Sequence, residues 1–196
     1  MFKLGITGGI GSGKTTASQF FADKGAVIFN ADDESKNHLR HSIALQHKII
    51  NAFGSAVVGD NHKLNFKSLA EVAFSNKIDQ QILNGIMWPE VFVLIDKAMK
   101  KAEKEKVKVF VVEAALLIEA DLQNLFDKTI LITANKNHRI ERVTSRGDIS
   151  PNQVLKRMDL QISEEEKRKL IDETIENNGT IDELKNELEE FYSRFI

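Results

Sequence analysis

Gly8-Gly9-Ile10-Gly11-Ser12-Gly13-Lys14-Thr15 matches the phosphate-loop pattern G-x-x-x-x-G-K-[ST] at every fixed position. Before it, Phe2-Lys3-Leu4-Gly5-Ile6-Thr7 reads as a short buried strand; after it, Thr15-Thr16-Ala17-Ser18-Gln19-Phe20-Phe21-Ala22 reads as a helix. That strand–turn–helix setting separates the motif from a chance glycine-rich turn. The glycines let the backbone curl so that successive N–H groups point inward, because no Cβ blocks the turn. Gly9, Gly11, Ser12, Gly13, Lys14, Thr15 and Thr16 are the expected cradle for phosphate oxygens, at the positive end of the following helix. Lys14 is expected to reach the β- and γ-phosphates as a point charge, and the Thr15 hydroxyl to ligate the Mg2+ that bridges them.

Downstream, Gly25 is the expected C-cap of the first helix, and Ala26-Val27-Ile28-Phe29 reads as a strand. Its partner must be parallel, because a helix intervenes, which makes a right-handed βαβ unit. The strand runs into Asn30-Ala31-Asp32, and open α/β sheets bind ligands just beyond the carboxyl ends of their strands. Asp32 is therefore either a site carboxylate or the cap of a helix beginning near Glu34. From Ser35 to Phe53 the pattern is helical, 54–64 is a loop, and Phe66 to Met87 reads as one or two helices ending at a Trp88-Pro89 break. This stretch exceeds what a crossover needs and predicts a helical subdomain near 54–92 that shapes the acceptor site. Within it, Asn76-Lys77-Ile78-Asp79 matches the guanine-reading N-K-x-D pattern, but the residues before it look helical and no D-x-x-G precedes it, so the match is accidental.

Val107 to Glu113 is β-branched and nearly continuous, as a central parallel strand is, with Glu113 at its end either a metal-side carboxylate or an ordinary polar strand end. Lys128 to Thr133 and Glu173 to Glu176 read as the last two strands. Between them, Arg139, Arg142, Arg146 and Arg157 lie on two helices joined by a turn at 147–151, a hairpin suited to a lid near 139–163. Arg146 and Arg157 are the expected cationic clamps; Arg139 reads as a solvated surface arginine. Thr180 or Asp182 caps a final helix with Ile181, Leu184, Leu188, Phe191 and Phe195 as its buried face. The histidines, His38 and His41 included, read as surface residues.

At 196 residues the chain suits one domain with a sizeable core. A net charge of -2 gives no global basic footprint for nucleic acid or acidic membrane. The absence of cysteine excludes disulfides and Cys-ligated metals. No apolar run approaches the roughly 18 residues of a membrane span, and Phe2-Lys3 opens a strand instead of a signal peptide, so a cytoplasmic location is the expectation. On the residues alone, a different small-molecule or nucleotide kinase and a nucleotide switch that transfers nothing both remain open.

The ordered set of motifs resembles the dephospho-coenzyme A kinase family of the P-loop kinase superfamily over nearly the whole length. Leu4 to Thr15 resembles L-T-G-G-I-G-S-G-K-[ST], Asn30-Ala31-Asp32 resembles D-A-D, and Leu116-Leu117-Ile118-Glu119 resembles the end of P-L-L-F-E. Arg157-Met158-Asp159-Leu160-Gln161 resembles R-M-x-x-Q, and Ile175-Glu176-Asn177-Asn178-Gly179 resembles I-x-N-x-G. The resemblance implies an α/β, three-layer P-loop kinase fold over 1–196 with a parallel five-stranded sheet, a helical acceptor subdomain and a lid. It also implies transfer of the ATP γ-phosphate to the ribose 3′-hydroxyl of dephospho-coenzyme A, with Mg2+; a monomer or weak homo-oligomer is the expected assembly. On that reading Asp32 takes or orients the hydroxyl proton, Arg146 and Arg157 are the lid arginines, and the loop Asn177 to Gly179, with Asn178 and Gly179 as its binding residues, lies on the adenine side. Three positions depart from the family pattern: Asn30 for the first aspartate of D-A-D, Ala115 for the proline before L-L, and Trp88 for a histidine.

Overall fold

A computed structural model describes residues 1–147 and 149–196. Five parallel strands, β1 (Phe2–Thr7), β2 (Val27–Asn30), β3 (Val109–Glu113), β4 (Lys128–Thr133) and β5 (Glu173–Glu176), form one sheet in the order β2-β3-β1-β4-β5. β2 is parallel as expected, but its partner is β3, which lies between it and β1. The sequence-continuous partner of β2 is thus two strands away, an arrangement that leaves β1 central with the phosphate loop at its carboxyl end.

The layers follow from strand alternation. Val109 and Val111 face one side with Leu4, Ile6, Ile130 and Ile132, where α1 (Lys14–Asp23) and α9 (Ile181–Phe195) bring Ala17, Phe21, Leu184, Leu188 and Phe191. Phe110 and Val112 face the other, under Ile95, Met99 and Ala102 of α5 (Lys77–Lys104). α1 leaves through Gly25 at φ +88, whose N–H bonds Ala22 O while Ala26 N–H bonds Phe21 O, the paired closure of a Schellman turn. Thr180 is the cap of α9, with Glu183 completing a capping box; Ile181, expected in its buried face, is 62% exposed.

A third apolar cluster lies away from the sheet. It gathers Leu39 of α2 (Ala31–His41), Leu45 and Ile49 of α3 (Ile43–Phe53), Val57, Leu64, and Leu69 and Ala73 of α4 (Phe66–Ala73), with Leu83, Ile86 and Met87 of α5 packed on it. The single helix expected over 35–53 is two, because Ser42 turns extended and its hydroxyl caps Leu45 N–H. The break expected at Trp88-Pro89 does not occur: α5 runs 28 residues with Pro89 inside it. Proline in a helix interior costs about 3 kcal/mol. Here the flanking half-turns are held from outside: Glu90 bonds His38 Nε2 on α2 at 3.3 Å and Lys48 Nζ on α3 at 3.3 Å. Burial works to raise the Glu90 pKa, but these two bonds outweigh it and hold the carboxyl below its usual value. His38 is accordingly half-buried in an interhelix contact instead of lying free on the surface. Asn76 caps α5 through Asp79 N–H, so the guanine-like motif is a helix start.

The carboxyl half of the chain contains α6 (Lys136–Thr144), α7 (Pro151–Asp159) and a short α8 (Glu164–Arg168). Ser150 and Gln153 form a capping box with Pro151 in the first turn of α7. The turn expected at 147–151 includes Asp148, which lies outside the described residues. Asp172, just before β5, clasps the start of β4: its Oδ2 accepts from Thr129 N–H at 2.8 Å and Thr129 Oγ1 at 2.7 Å. Burial raises the Asp172 pKa, but the hydroxyl, Lys128 and amide donors together set it below the usual value. A depressed carboxyl stabilises above its unfolded pKa and loses that contribution as pH falls through the folded one. Asp172→Asn is expected to cost about 1 kcal/mol at pH 7 and progressively less toward pH 3, read from urea midpoints at the two pH values.

Candidate active site

Four elements converge at the carboxyl edge of the sheet. β1 delivers the phosphate loop, and Gly13 at φ +102 is the N-cap of α1 with no side chain to bond the first-turn amides. The first intrahelical bond is Ala17 N–H to Gly13 O, so the amides of Lys14, Thr15 and Thr16 are left for a ligand, and no acidic residue in that turn competes for them. The conformation and the space both require glycine, since a Cβ on Gly13 would collide with the Asn177 side-chain amide. Asn177 is a buried strut: its Nδ2 donates to Ser12 O at 2.8 Å, its N–H to Thr133 O at 2.7 Å, and its carbonyl accepts from Arg142 Nη2 at 3.0 Å.

Lys14 folds over the loop and donates from Nζ to Gly8 O at 3.0 Å. Burial pushes its pKa below the usual lysine value; Asp32 and Glu113 pull it back up, while Lys167 and Arg139 push it further down. Thr15 Oγ1 donates to Glu113 Oε1 at 2.9 Å across 98 residues of sequence, so the hydroxyl and the carboxylate singled out for the metal side stand together. Glu113 is 4% exposed, at the end of β3. Among the described residues, no three His, Asp or Glu side chains gather into a metal-sized cluster.

Asp32 is not the cap of its helix. Asn30 is, its side chain accepting from Asp33 N–H at 3.0 Å, a capping task that asparagine and aspartate perform equally well. Asp32 sits half-buried in the first turn of α2 and accepts from Ala115 N–H at 3.1 Å. The proline of the family pattern has no N–H to offer there, so Ala115 supplies an anchor that proline cannot. The Ala115 carbonyl in turn accepts from Thr7 Oγ1 at 3.3 Å and Lys167 Nζ at 3.2 Å. Lys167 is only 1% exposed and pairs with Glu119 at 3.0 Å. A buried pair of this kind holds its surroundings to one arrangement, since removing either partner strands a charge.

Beside the loop lies a cavity of about 500 Å3 walled by Gly9, Asn135, Arg139, Lys167, Arg168 and Asn178, among others. Asn178 Oδ1 accepts from Asn135 N–H at 2.7 Å and ties the β4–α6 and β5–α9 loops together. Gly179 passes against the Glu183 carboxylate of the α9 capping box. Lys14, Thr15, Asp32 and Glu113 are not among the cavity walls; cavity and loop meet at Gly9, Arg139 and Lys167. Arg146 is exposed beyond α6, and the Arg157 guanidinium stacks on Phe74 at 5.2 Å, a contact between α7 and the end of α4. The structure thus gathers Lys14, Thr15, Asp32 and Glu113, and leaves Arg146 and Arg157 apart from them.

Arg139, expected to be solvated, is 8% exposed: its Nε donates to Ile10 O at 2.9 Å, and its Nη1 pairs with Glu164. Burial lowers its pKa and Glu164 opposes that shift. The signal for it was present, since buried Val143 is four residues on and shares its helix face. Lys167 had no such signal, lying in the charged run Glu164 to Lys169.

A family model described as dephospho-CoA kinase matches residues 2–183. A Salinibacter ruber dephospho-CoA kinase is 41% identical over 192 residues, covering 98% of this chain and 96% of that protein. A Chlamydia felis dephospho-CoA kinase is 39% identical, covering 98% and 95%. Among solved structures, a dephospho-CoA kinase from Campylobacter jejuni superposes with a TM-score of 0.67 at 26% identity, covering 98% of this chain and 96% of that one. A shikimate kinase from Acinetobacter baumannii, at 12% identity and a TM-score of 0.54 over 99% and 92% of the two chains, shares the fold alone. With the phosphate loop, the β2-tip carboxylate and the Leu116–Glu119 segment in place, this chain belongs to the dephospho-CoA kinase family.

Proposed function

We propose that this chain transfers the γ-phosphoryl group of ATP to the ribose 3′-hydroxyl of dephospho-coenzyme A, giving coenzyme A in the last step of its synthesis. The observation that carries this reading is the placement of the Asp32 carboxylate beside Lys14, close enough to influence its protonation, at the mouth of a phosphate loop with free first-turn amides. The amides of the loop, including Gly11 and Gly13, hold the phosphate chain, joined by Ser12 N–H if it leaves the Gly9 carbonyl it now bonds at 3.1 Å. Lys14 leaves Gly8 O to meet the β- and γ-phosphates, and Asp32 accepts or orients the proton of the attacking hydroxyl. Catalysis of this kind is positioning and charge stabilisation more than covalent chemistry.

Thr15 and Glu113 fit a hard divalent cation such as Mg2+, since both present oxygen donors and the remaining positions suit phosphate oxygens and water. When bound, Mg2+ neutralises charge across the β- and γ-phosphates. The α6–α7 region is the lid, and its closure brings Arg146 and Arg157 onto the transferring group. The helical lobe around residues 54–92 shapes the acceptor side, and Asn178 and Gly179 line the adenine side. The proposed assembly is a monomer or weak homo-oligomer. Among the described residues, no helix is long and apolar enough to cross a membrane; the proposed location is the cytoplasm.

A coupled ADP-release assay tests the proposal. Dephospho-coenzyme A is expected to stimulate ADP release strongly, EDTA to abolish it, and a nucleoside monophosphate to leave it at background. Slow ADP release that ignores the acceptor would make the protein a nucleotide switch; phosphorylation of the monophosphate alone would make it a different kinase.

A further inference from the structure

Arg139 is fixed at both ends. Its backbone carbonyl lies where a Cβ on Gly11 would be, and its guanidinium lies where a Cβ on Gly9 would be, so α6 is pressed directly on the phosphate loop. Nε is committed to Ile10 O and Nη1 to Glu164. Nη2 lies over Gly9, has no hydrogen-bond partner among the described residues, and faces the cavity that Gly9 and Arg139 both wall. A guanidinium stays cationic at neutral pH, and this one is largely desolvated. Lys167 and Arg139 both stand close enough to Lys14 to lower its pKa, so positive charge gathers at this edge of the loop. A buried cation with a spare donor, crowded by like charge and backed by a single carboxylate, is an arrangement that an anion completes.

We propose that Arg139 is a substrate-binding residue whose Nη2 donates to the phosphate chain of the nucleoside triphosphate, with Glu164 as the tether that aims it. Glu164 and the Ile10 carbonyl hold two edges of the fork, so the third is presented without further loss of side-chain freedom. The same contact gives Gly9 its own reason to lack a side chain, because any Cβ there displaces the donor. This inference rests on the reading of the loop as a triphosphate site, and it adds a cation from the first turn of α6 to Lys14 and the lid arginines.

The test is binding of inorganic tripolyphosphate, ADP and adenosine to the full chain by calorimetry, without acceptor. Arg139→Gln is expected to weaken tripolyphosphate and ADP by about tenfold each and to leave adenosine unchanged. Arg139→Lys keeps the charge but cannot hold Ile10 O, Glu164 and a phosphate together, and is expected to weaken tripolyphosphate at least about threefold. Melting of the ligand-free variants shows which of them fold, and Arg139→Lys decides if Arg139→Gln does not. Tripolyphosphate affinity equal to wild type in a folded Arg139 variant overturns the proposal, as does a loss that adenosine shares in full. Wild-type turnover on dephospho-coenzyme A is measured separately, so an inactive wild type refutes the kinase reading while the titrations still judge Arg139.

Discussion

Asp32→Asn is expected to lower kcat by about 10²–10⁴-fold while ATP affinity stays within about twofold of wild type. The substitution is nearly isosteric, and the amide oxygen can still accept from Ala115 N–H, the bond that now holds one carboxylate oxygen at 3.1 Å. What disappears is the negative charge beside Lys14 and the capacity to take a proton. In the proposed complex the phosphate loop would hold ATP through its own amides and Lys14, so nucleotide binding has no reason to follow kcat. Steady-state kinetics with both substrates varied, together with ADP titration of the variant, separates the two. Near wild-type kcat would remove Asp32 from the chemistry and leave its Ala115 bond as a structural clasp only.

Lys14→Met is expected to cut kcat/KM by about 10²–10³-fold and, in the same protein, to raise the melting temperature of the nucleotide-free form. The two effects have one cause. Burial opposes the charged ammonium more than Asp32 and Glu113 support it, so the folded pKa lies below the unfolded one. A lysine depressed in this way destabilises the fold at every pH below its folded pKa. The penalty is relieved only as pH rises toward the ordinary lysine value, because there the unfolded chain is the state that binds the proton. A methionine of similar reach removes the penalty and the phosphate contact together. Scanning calorimetry with and without ADP is the check: a higher melting point without nucleotide and a smaller gain on adding it. A variant less stable than wild type without nucleotide would show that Lys14 supports the loop through Gly8 O more than it strains it.

Where the sequence reading succeeded, the physics was local. β4 and β5 occur at the expected Lys128–Thr133 and Glu173–Glu176, because each strand is bounded by charged or turn-forming residues. The phosphate loop, Asp32 and Glu113 were legible because each marks the carboxyl end of a recognisable strand. It failed where distant partners decide. Pro89 breaks an isolated helix, but Glu90, one residue on, is gripped by His38 and Lys48 from two other helices. Ile181 fits the apolar stripe of α9 but sits at the first helical position, beside its Thr180 cap, where the helix has not yet met the sheet. α8 was missed although Ser163 and Glu166 form a capping box, because five residues carry too little periodicity to show. Arg139 and Lys167 look solvated in sequence since each lies among other charges. Their burial depends on Glu164 and Glu119, which only the folded chain brings to them.

Those partners share a common purpose in the geometry. Asn177, Arg142, Arg139 and Lys167 each bond a backbone carbonyl at or near the phosphate loop or the Ala115 peptide. They brace the surfaces that carry Lys14 and Asp32, a preorganisation that the proposed phosphoryl transfer would rely on.

The most direct test is a crystal structure with dephospho-coenzyme A and a non-hydrolysable ATP analogue bound together. The account predicts the phosphate chain in the Gly8–Thr15 loop, Lys14 on the γ-phosphate, and the ribose 3′-hydroxyl within hydrogen-bond distance of the Asp32 carboxylate, in line with the γ-phosphorus. A ternary complex with the hydroxyl held by another residue, and Asp32 still turned only to Ala115 N–H, would contradict it.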